Sequence, residues 1–290
     1  MWPPRKILFP VDFSERSINA ALDVRTLGQR FHPEITLVYV LTPPVYDVGS
    51  MATGSLLVEE AWEEQERRAR QDLADFAAKE LPDLRVETMV LEGDAARAIV
   101  DHAHCQHADL IVMATHGYGQ FRRFILGSVT AKVLHDADCP VWTGVHAEQA
   151  IASESQRIES IVCALDLKPH SVSVLEWAQR MTAEYQAALH VVHAVPAYET
   201  RPANYFDTDL RRQLVAEGRE SVRRFLDACR LDAAIDVEGG DVAHVVSCAA
   251  QRFGADLVVI GRSSETGLVG RLRANAYSII RQSPCPVLSV

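Results

Sequence analysis

The sequence predicts an α/β protein built as two repeated, open, five-stranded and mainly parallel sheets with helices on both faces. Three observations predict it. First, the chain repeats itself in order. KILFPVDFSERSINAALDVRTLGQRF near the amino terminus is matched by SIVCALDLKPHSVSVLEWAQRMTAEY, and ITLVYVLTPP by LHVVHAVPAY. EGDAARAIVDHAHCQHADLIVMATHG is matched by GGDVAHVVSCAAQRFGADLVVIGRSS, and VLHDADCPVW by IIRQSPCPVL. Second, apolar strand-like runs alternate with helical segments through each copy, the pattern of a parallel α/β sheet. Third, runs such as ITLVYVL are apolar without alternation, as a strand covered on both faces must be.

Taken in order, KILFPVD reads as a strand ending at Asp12. Ser14 reads as the N-cap of a helix with Ile18, Ala21, Leu22 and Leu27 on one side. ITLVYVL is the second strand. A loop rich in Pro, Gly and Ser follows from Thr42 to about Leu57, then a long helix stopped by Pro82. RVETMVLEG is a third strand, DAARAIVDHAHC a helix and DLIVMAT a fourth strand. ATHGYGQFRRFILGS leads from there into a helix beginning near Ser128, and PVWTGV is the fifth strand. The second copy reads the same way. Polar HAEQAIASESQR fits a linker, which gives domains at 1–146 and 158–290 joined by 147–157.

Bulk properties exclude several classes. The 290 residues suffice for one large or two ordinary domains, and 48% apolar with 23% charged residues is globular composition. A formal net charge of −10 disfavours general binding to nucleic acid or anionic membranes. No apolar run approaches the roughly 20 residues of a membrane span, and MWPPRKILFPVDF leaves no room for a signal peptide. Six cysteines form no CxxC pair and no tight disulfide framework. The expected compartment is the reducing cytoplasm. Cys163, Cys229 and Cys248 read as small buried hydrophobes, and Cys139 and Cys285, each before a proline, as structural.

Open α/β sheets bind ligands beyond the carboxyl ends of their strands, where strand order reverses. Pro10, Val11 and Asp12 lie at such an end, as do Val40 and the segment Ala114–Gly117. The helix at Ser128 aims free N–H groups and its positive dipole end at the same place, a recipe for an anion. Glycines 117 and 127 there admit close backbone approach. GxxxxGK[ST] is absent, and the GxG of Gly117 and Gly119 follows the fourth strand rather than the first.

With these residues in view, the whole chain resembles a tandem universal stress protein. Nucleotide-binding members of that family carry G-x2-G-x9-G-[ST] after the fourth strand, and this chain reads Ala114-x2-Gly117-x9-Gly127-Ser128. The resemblance implies a Rossmann-like five-stranded fold holding ATP or a related adenine nucleotide; magnesium as its companion is left open. By position, Asp12 would contact the ribose, with Val11 and Val40 framing the adenine. Gly117 and Gly127 would admit the phosphates, Ser128, Val129 and Thr130 would supply hydroxyl and N–H donors, and His116 has equal claims as donor and as loop packing. Arg122 and Arg123 divide evenly between ligand and solvent. In the second copy the motif reads Gly261-Arg-Ser-Ser264, and Gly-Ser falls on Ala274-Asn275 or on Arg273-Ala274. That site reads as degenerate, with Arg262, Arg271 and Arg273 left to hold another anion.

The family reading is a cytoplasmic stress-response module that binds nucleotide in its first domain, pairs as a homodimer or within the chain, and signals to an unidentified protein partner. Two alternatives stand beside it: slow ATP hydrolysis or autophosphorylation, for which no convincing general base is found, and a nucleotide-free scaffold. His102, His104, Cys105 and His107 read as a solvated helix face rather than a metal site, because helical neighbours meet three or four residues apart. EEAWEEQERRAR reads as an ion-paired, solvated face.

Overall fold

The structure is a computed structural model, and it describes residues 2–43, 55–115, 126–145, 157–195, 205–262 and 274–290. The expectations for His116, Gly117, Gly119, Arg122, Arg123, Ser264, Arg271, Arg273, most of the linker and most of the Thr42–Leu57 loop therefore lie outside the described residues.

The first copy runs β1 (Lys6–Pro10), α1 (Glu15–Phe31), β2 (Glu34–Leu41), α2 (Ser55–Glu80), β3 (Val86–Glu92), α3 (Ala95–Cys105), β4 (Leu110–Met113), α4 (Ser128–Asp136) and β5 (Val141–Thr143). Its strands lie in the order β3-β2-β1-β4-β5, and β1 pairs in parallel with both β2 and β4. The chain thus winds outward from β1 to β3, then returns to the other side of β1. That reversal between β1 and β4 is the point where such sheets open a crevice.

The second copy repeats the plan with β6 (Ser160–Ala164), α5 (Ser171–Tyr185), β7 (Ala188–Val195), α6 (Tyr205–Ala228), β8 (Ala234–Gly239), α7 (Val242–Arg252), β9 (Leu257–Ile260), α8 (Ala274–Gln282) and β10 (Val287–Ser289). Its order is β10-β9-β6-β7-β8, with β6 parallel to β7 and β9. The chain divides into two compact units, one holding most of the chain up to Val141 and the other holding Leu126 and Trp142–Val290.

Continuous apolar runs become buried strands: Ile7, Leu8, Phe9, Ile111, Val112, Ile161, Val162 and Val258 are each at most 2% exposed. Local rules start the helices. Ser14 accepts from the Ser17 N–H to cap α1, and Asp94 and Asp241 cap α3 and α7 by accepting from Arg97 and His244 N–H. A second device is shared by the copies. Asp109 Oδ2 accepts from the Arg5 and Lys6 amides at 2.9 and 3.1 Å. Asp256 Oδ2 does the same for Glu159 and Ser160 at 2.7 and 3.0 Å. Each carboxylate ties the start of the fourth strand to the start of the first.

Several expectations are corrected. β1 stops at Pro10, so Asp12 stands two residues past the ladder, and α2 begins at Ser55 rather than after Leu57. On α1, Ala21 and Leu27 are buried but Ile18 and Leu22 are only half-buried; Ala20, Val24 and Gly28 complete the inner stripe. Cys163 and Cys285 are buried, whereas Cys139, Cys229 and Cys248 are half-buried. On α2, Glu64 pairs with Arg67 and Arg68, and Glu66 with Arg70, all at helical spacing on a solvated face.

Candidate functional site

Beyond the carboxyl ends of β1, β2 and β4 lies a cavity of about 360 Å³, within the range of roughly 300–1,000 Å³ usual for small-molecule sites. Pro10, Val11 and Asp12 line it from the end of β1, Val40 from β2, Ala114 from the end of β4, and Gly127, Ser128, Val129 and Thr130 from the start of α4. Nine expected residues, far apart in sequence, are thereby brought together. His116 and Gly117 lie outside the described residues. Five lining residues were not anticipated: Ser17, Tyr39, Ala95, Ile99 and Met113. Ala95 and Ile99 come from the first turns of α3, whose packing against α4 and β2 cannot be read from any one segment alone.

Polar groups from separate elements line the cavity. Asp12 Oδ1 accepts from Ser17 Oγ at 2.7 Å and from the Ser14 amide at 3.0 Å. These two bonds fix the carboxylate and leave Oδ2 without a partner among the described residues. Asp12 is also the one carboxylate among the described residues lining the cavity. At the same cavity, α4 starts after Gly127 with no side-chain cap. The amides of Ser128, Val129 and Thr130 have no acceptor among the described residues. Free amides at a helix start carry partial positive charge and favour an anion.

Two expectations about this terminus change. Gly127 has φ −59° and ψ 144°, which any residue adopts, so its value here lies in the side chain it lacks at the cavity wall. The Thr130 hydroxyl donates to the Ala114 carbonyl at 3.0 Å, and Thr130 is 3% exposed. Its proton is committed to holding α4 against the end of β4 and is not free for a ligand. The Gly127 amide closes the same corner by donating to the Thr115 carbonyl at 2.9 Å. Beside the cavity, Asp94 caps α3, and its hydrogen bond from the Arg97 amide, helped by Lys132, holds its carboxyl below the usual range.

The equivalent place in the second copy encloses only about 80 Å³. Asp166 keeps the bond to a serine, Ser171 Oγ donating at 2.9 Å. Counting back from the shared CPV sequence, α8 aligns with α4 so that Arg273-Ala274 stands where the first copy has Gly127-Ser128. Arg262 is 8% exposed, buried rather than displayed to a ligand.

A larger cavity of about 540 Å³ opens at the opposite, amino end of the first sheet, among Lys6, Glu34, Arg85, Glu87, His102 and Gln106. It meets the last turns of α3 instead of a helix start, and its charged side chains are exposed and of both signs. The smaller cavity is the stronger site because strand ends, uncapped amides and an oriented carboxylate coincide there. His102, at the rim of the larger one, is held below the usual histidine value by burial. His104 lies 3.3 Å from Asp138, Cys105 is exposed, and no group of metal-ligating side chains occurs among the described residues. No helix among them is long and apolar enough to cross a membrane.

A family model described as the universal stress protein family matches residues 3–143 and again 157–290. A universal stress protein of Methanocaldococcus jannaschii is 36% identical over 138 residues, 47% of this chain and 79% of its own. One from Mycolicibacterium smegmatis is 28% identical over 298 residues, 98% of this chain and 96% of its own. Among solved structures, a universal stress protein from Archaeoglobus fulgidus is similar in fold, with TM-score 0.64 at 20% identity over 98% of this chain and 95% of that one.

Proposed function

The chain belongs to the universal stress protein family, in two copies, and on that premise we propose that the first copy binds ATP or a closely related adenine nucleotide. The observation that carries the reading is the convergence at one cavity of a fixed carboxylate, Asp12, and the uncapped start of α4. The residues fit the ligand's chemistry. Phosphate oxygens would take the amides of Ser128, Val129 and Thr130, which lack other acceptors among the described residues. Asp12 Oδ2 would accept from ribose hydroxyls. Val11, Val40, Ile99 and Met113 offer apolar walls to a base. Ser17 and Thr130 do not need to touch the ligand; they hold Asp12 and α4 in place.

Binding, rather than turnover, is the function these groups support. Asp12 is the one carboxylate among the described residues lining the cavity, and this reading assigns it to the ribose rather than to the phosphates. A nucleotide that favours one arrangement of the surrounding loops would make the chain a regulatory module.

Thermal unfolding tests the proposal. Mg-ATP at 100 times its dissociation constant should stabilise the folded chain by about 2.7 kcal/mol and raise the unfolding temperature. Gly127→Val, which places a branched side chain at the cavity wall, should abolish the rise. An unchanged unfolding temperature in saturating Mg-ATP would count against the reading.

A further inference from the structure

We infer that His170 closes the second copy to nucleotides and decides which half of the chain takes one. This rests on the nucleotide reading of the first copy. The shell of a site survives in the second half: Asp166 and Ser171 keep the pairing of Asp12 and Ser17, and Asp166, like Asp12, stands two residues past the end of its strand. What differs is the space, about 80 Å³ against 360 Å³.

The filling can be traced to particular atoms. Position 114 of the first copy is alanine, and its counterpart after β9 is Gly261. A Cβ placed on Gly261 would lie 2.7 Å from His170 Cδ2, 2.8 Å from His170 Nε2 and 3.0 Å from Val174 Cγ2. Such separations are far inside van der Waals contact, so an alanine methyl at 261 would force the imidazole out of its present position. The ring rests on the bare backbone of Gly261, 17% exposed, with Nε2 3.5 Å from Asp166 Oδ1. Gly261 therefore hosts a histidine, although the family motif alone would assign it to a ligand.

The helix start moves with the ring. α5 begins at Ser171, the counterpart of Ser17, which lies inside α1. His170 occupies the N-cap of α5 without making a side-chain cap. The first copy carries Arg16 at the position of His170 and Ala20 at that of Val174, and neither lines its cavity.

Removing the ring and trimming the valine should open an adenosine-sized pocket. Adenosine is the suitable probe because, lacking phosphates, it does not depend on the altered phosphate-side motif. In methyl-labelled full-length protein, adenosine should shift Ile99 and Met113 but leave Ile260 and Ile279 unmoved. In His170→Ala/Val174→Ala it should shift Ile260 and Ile279 as well, with affinity at that half at least about tenfold tighter than in the wild type. His170→Arg/Val174→Ala, the pair found in the first copy, repeats the test should the alanine variant fold poorly. A folded variant whose Ile260 and Ile279 stay unmoved would overturn the inference, and so would a wild type in which they already move. Stillness of Ile99 and Met113 would instead strike at the first-copy reading, leaving Ile260 and Ile279 to decide this one.

Discussion

Asp12 and Thr130 show what single residues contribute. Asp12→Asn keeps the Oδ1 acceptor for Ser17 and Ser14 but removes the charge. Charge-assisted hydrogen bonds contribute about 1.5–3 kcal/mol, so calorimetry should find ATP affinity lowered about tenfold or more, with little change in urea stability. Thr130→Val should behave differently. It leaves the Ala114 carbonyl unpaired at a buried corner, at roughly 1–3 kcal/mol in denaturant unfolding, and Thr130→Ser should recover most of it. The sequence made both positions candidates, but it could not divide their labour, because the partner of Thr130 lies in a segment sixteen residues away. The role of Asp109 and Asp256 is hidden from the sequence for a related reason: a carboxylate before an apolar strand has no visible task until the neighbouring strand is in place. Histidines carry a pH prediction. Burial depresses His102 and His190 below the usual histidine value of 6.5, against the opposing pull of Glu87 and Asp236. A folded pKa below the unfolded one means that protonation favours the unfolded chain. Stability should be constant for these groups well above 6.5 and decline as pH falls below it. His190→Gln should flatten that decline in pH-dependent unfolding curves.

At the scale of elements, helix starts separate structure from function. α1, α3 and α7 each begin with a side chain that accepts an amide, whereas α4 and α5 begin without one, and of these two it is α4 that opens onto the roomier cavity. Ser14→Ala should cost about 1 kcal/mol of stability in urea and, by releasing the Ser14–Ser17–Asp12 arrangement, weaken nucleotide binding as well. Strands were legible because their burial on both faces leaves an unbroken apolar run, and caps because Ser and Asp act within their own turn. Edges were less so. Asp12 reads as a strand residue, yet the ladder stops at Pro10, since the α1 cap captures the chain first. Ile18 and Leu22 look like core on a helical wheel. α1 instead turns its small residues Ala20, Ala21 and Gly28 inward, where they allow close packing. Gly28 sets this limit: a Cβ there would come within 2.6 Å of Leu84.

Across the whole molecule, duplication was the most legible feature and divergence the least. Order and spacing of four matched segments give two copies of one fold. The same alignment presents Gly261 as the better motif residue and Ala114 as the worse. In the folded chain the half with the alanine has the room, because the glycine has been taken up by His170. Motif matching counts residues along the chain, whereas cavity space depends on a side chain contributed by another element. Calorimetric titration of the full-length wild-type protein with Mg-ATP counts the nucleotide sites in one chain. A stoichiometry of one is expected, whereas two, or no binding to the folded chain, would overturn the single-site reading.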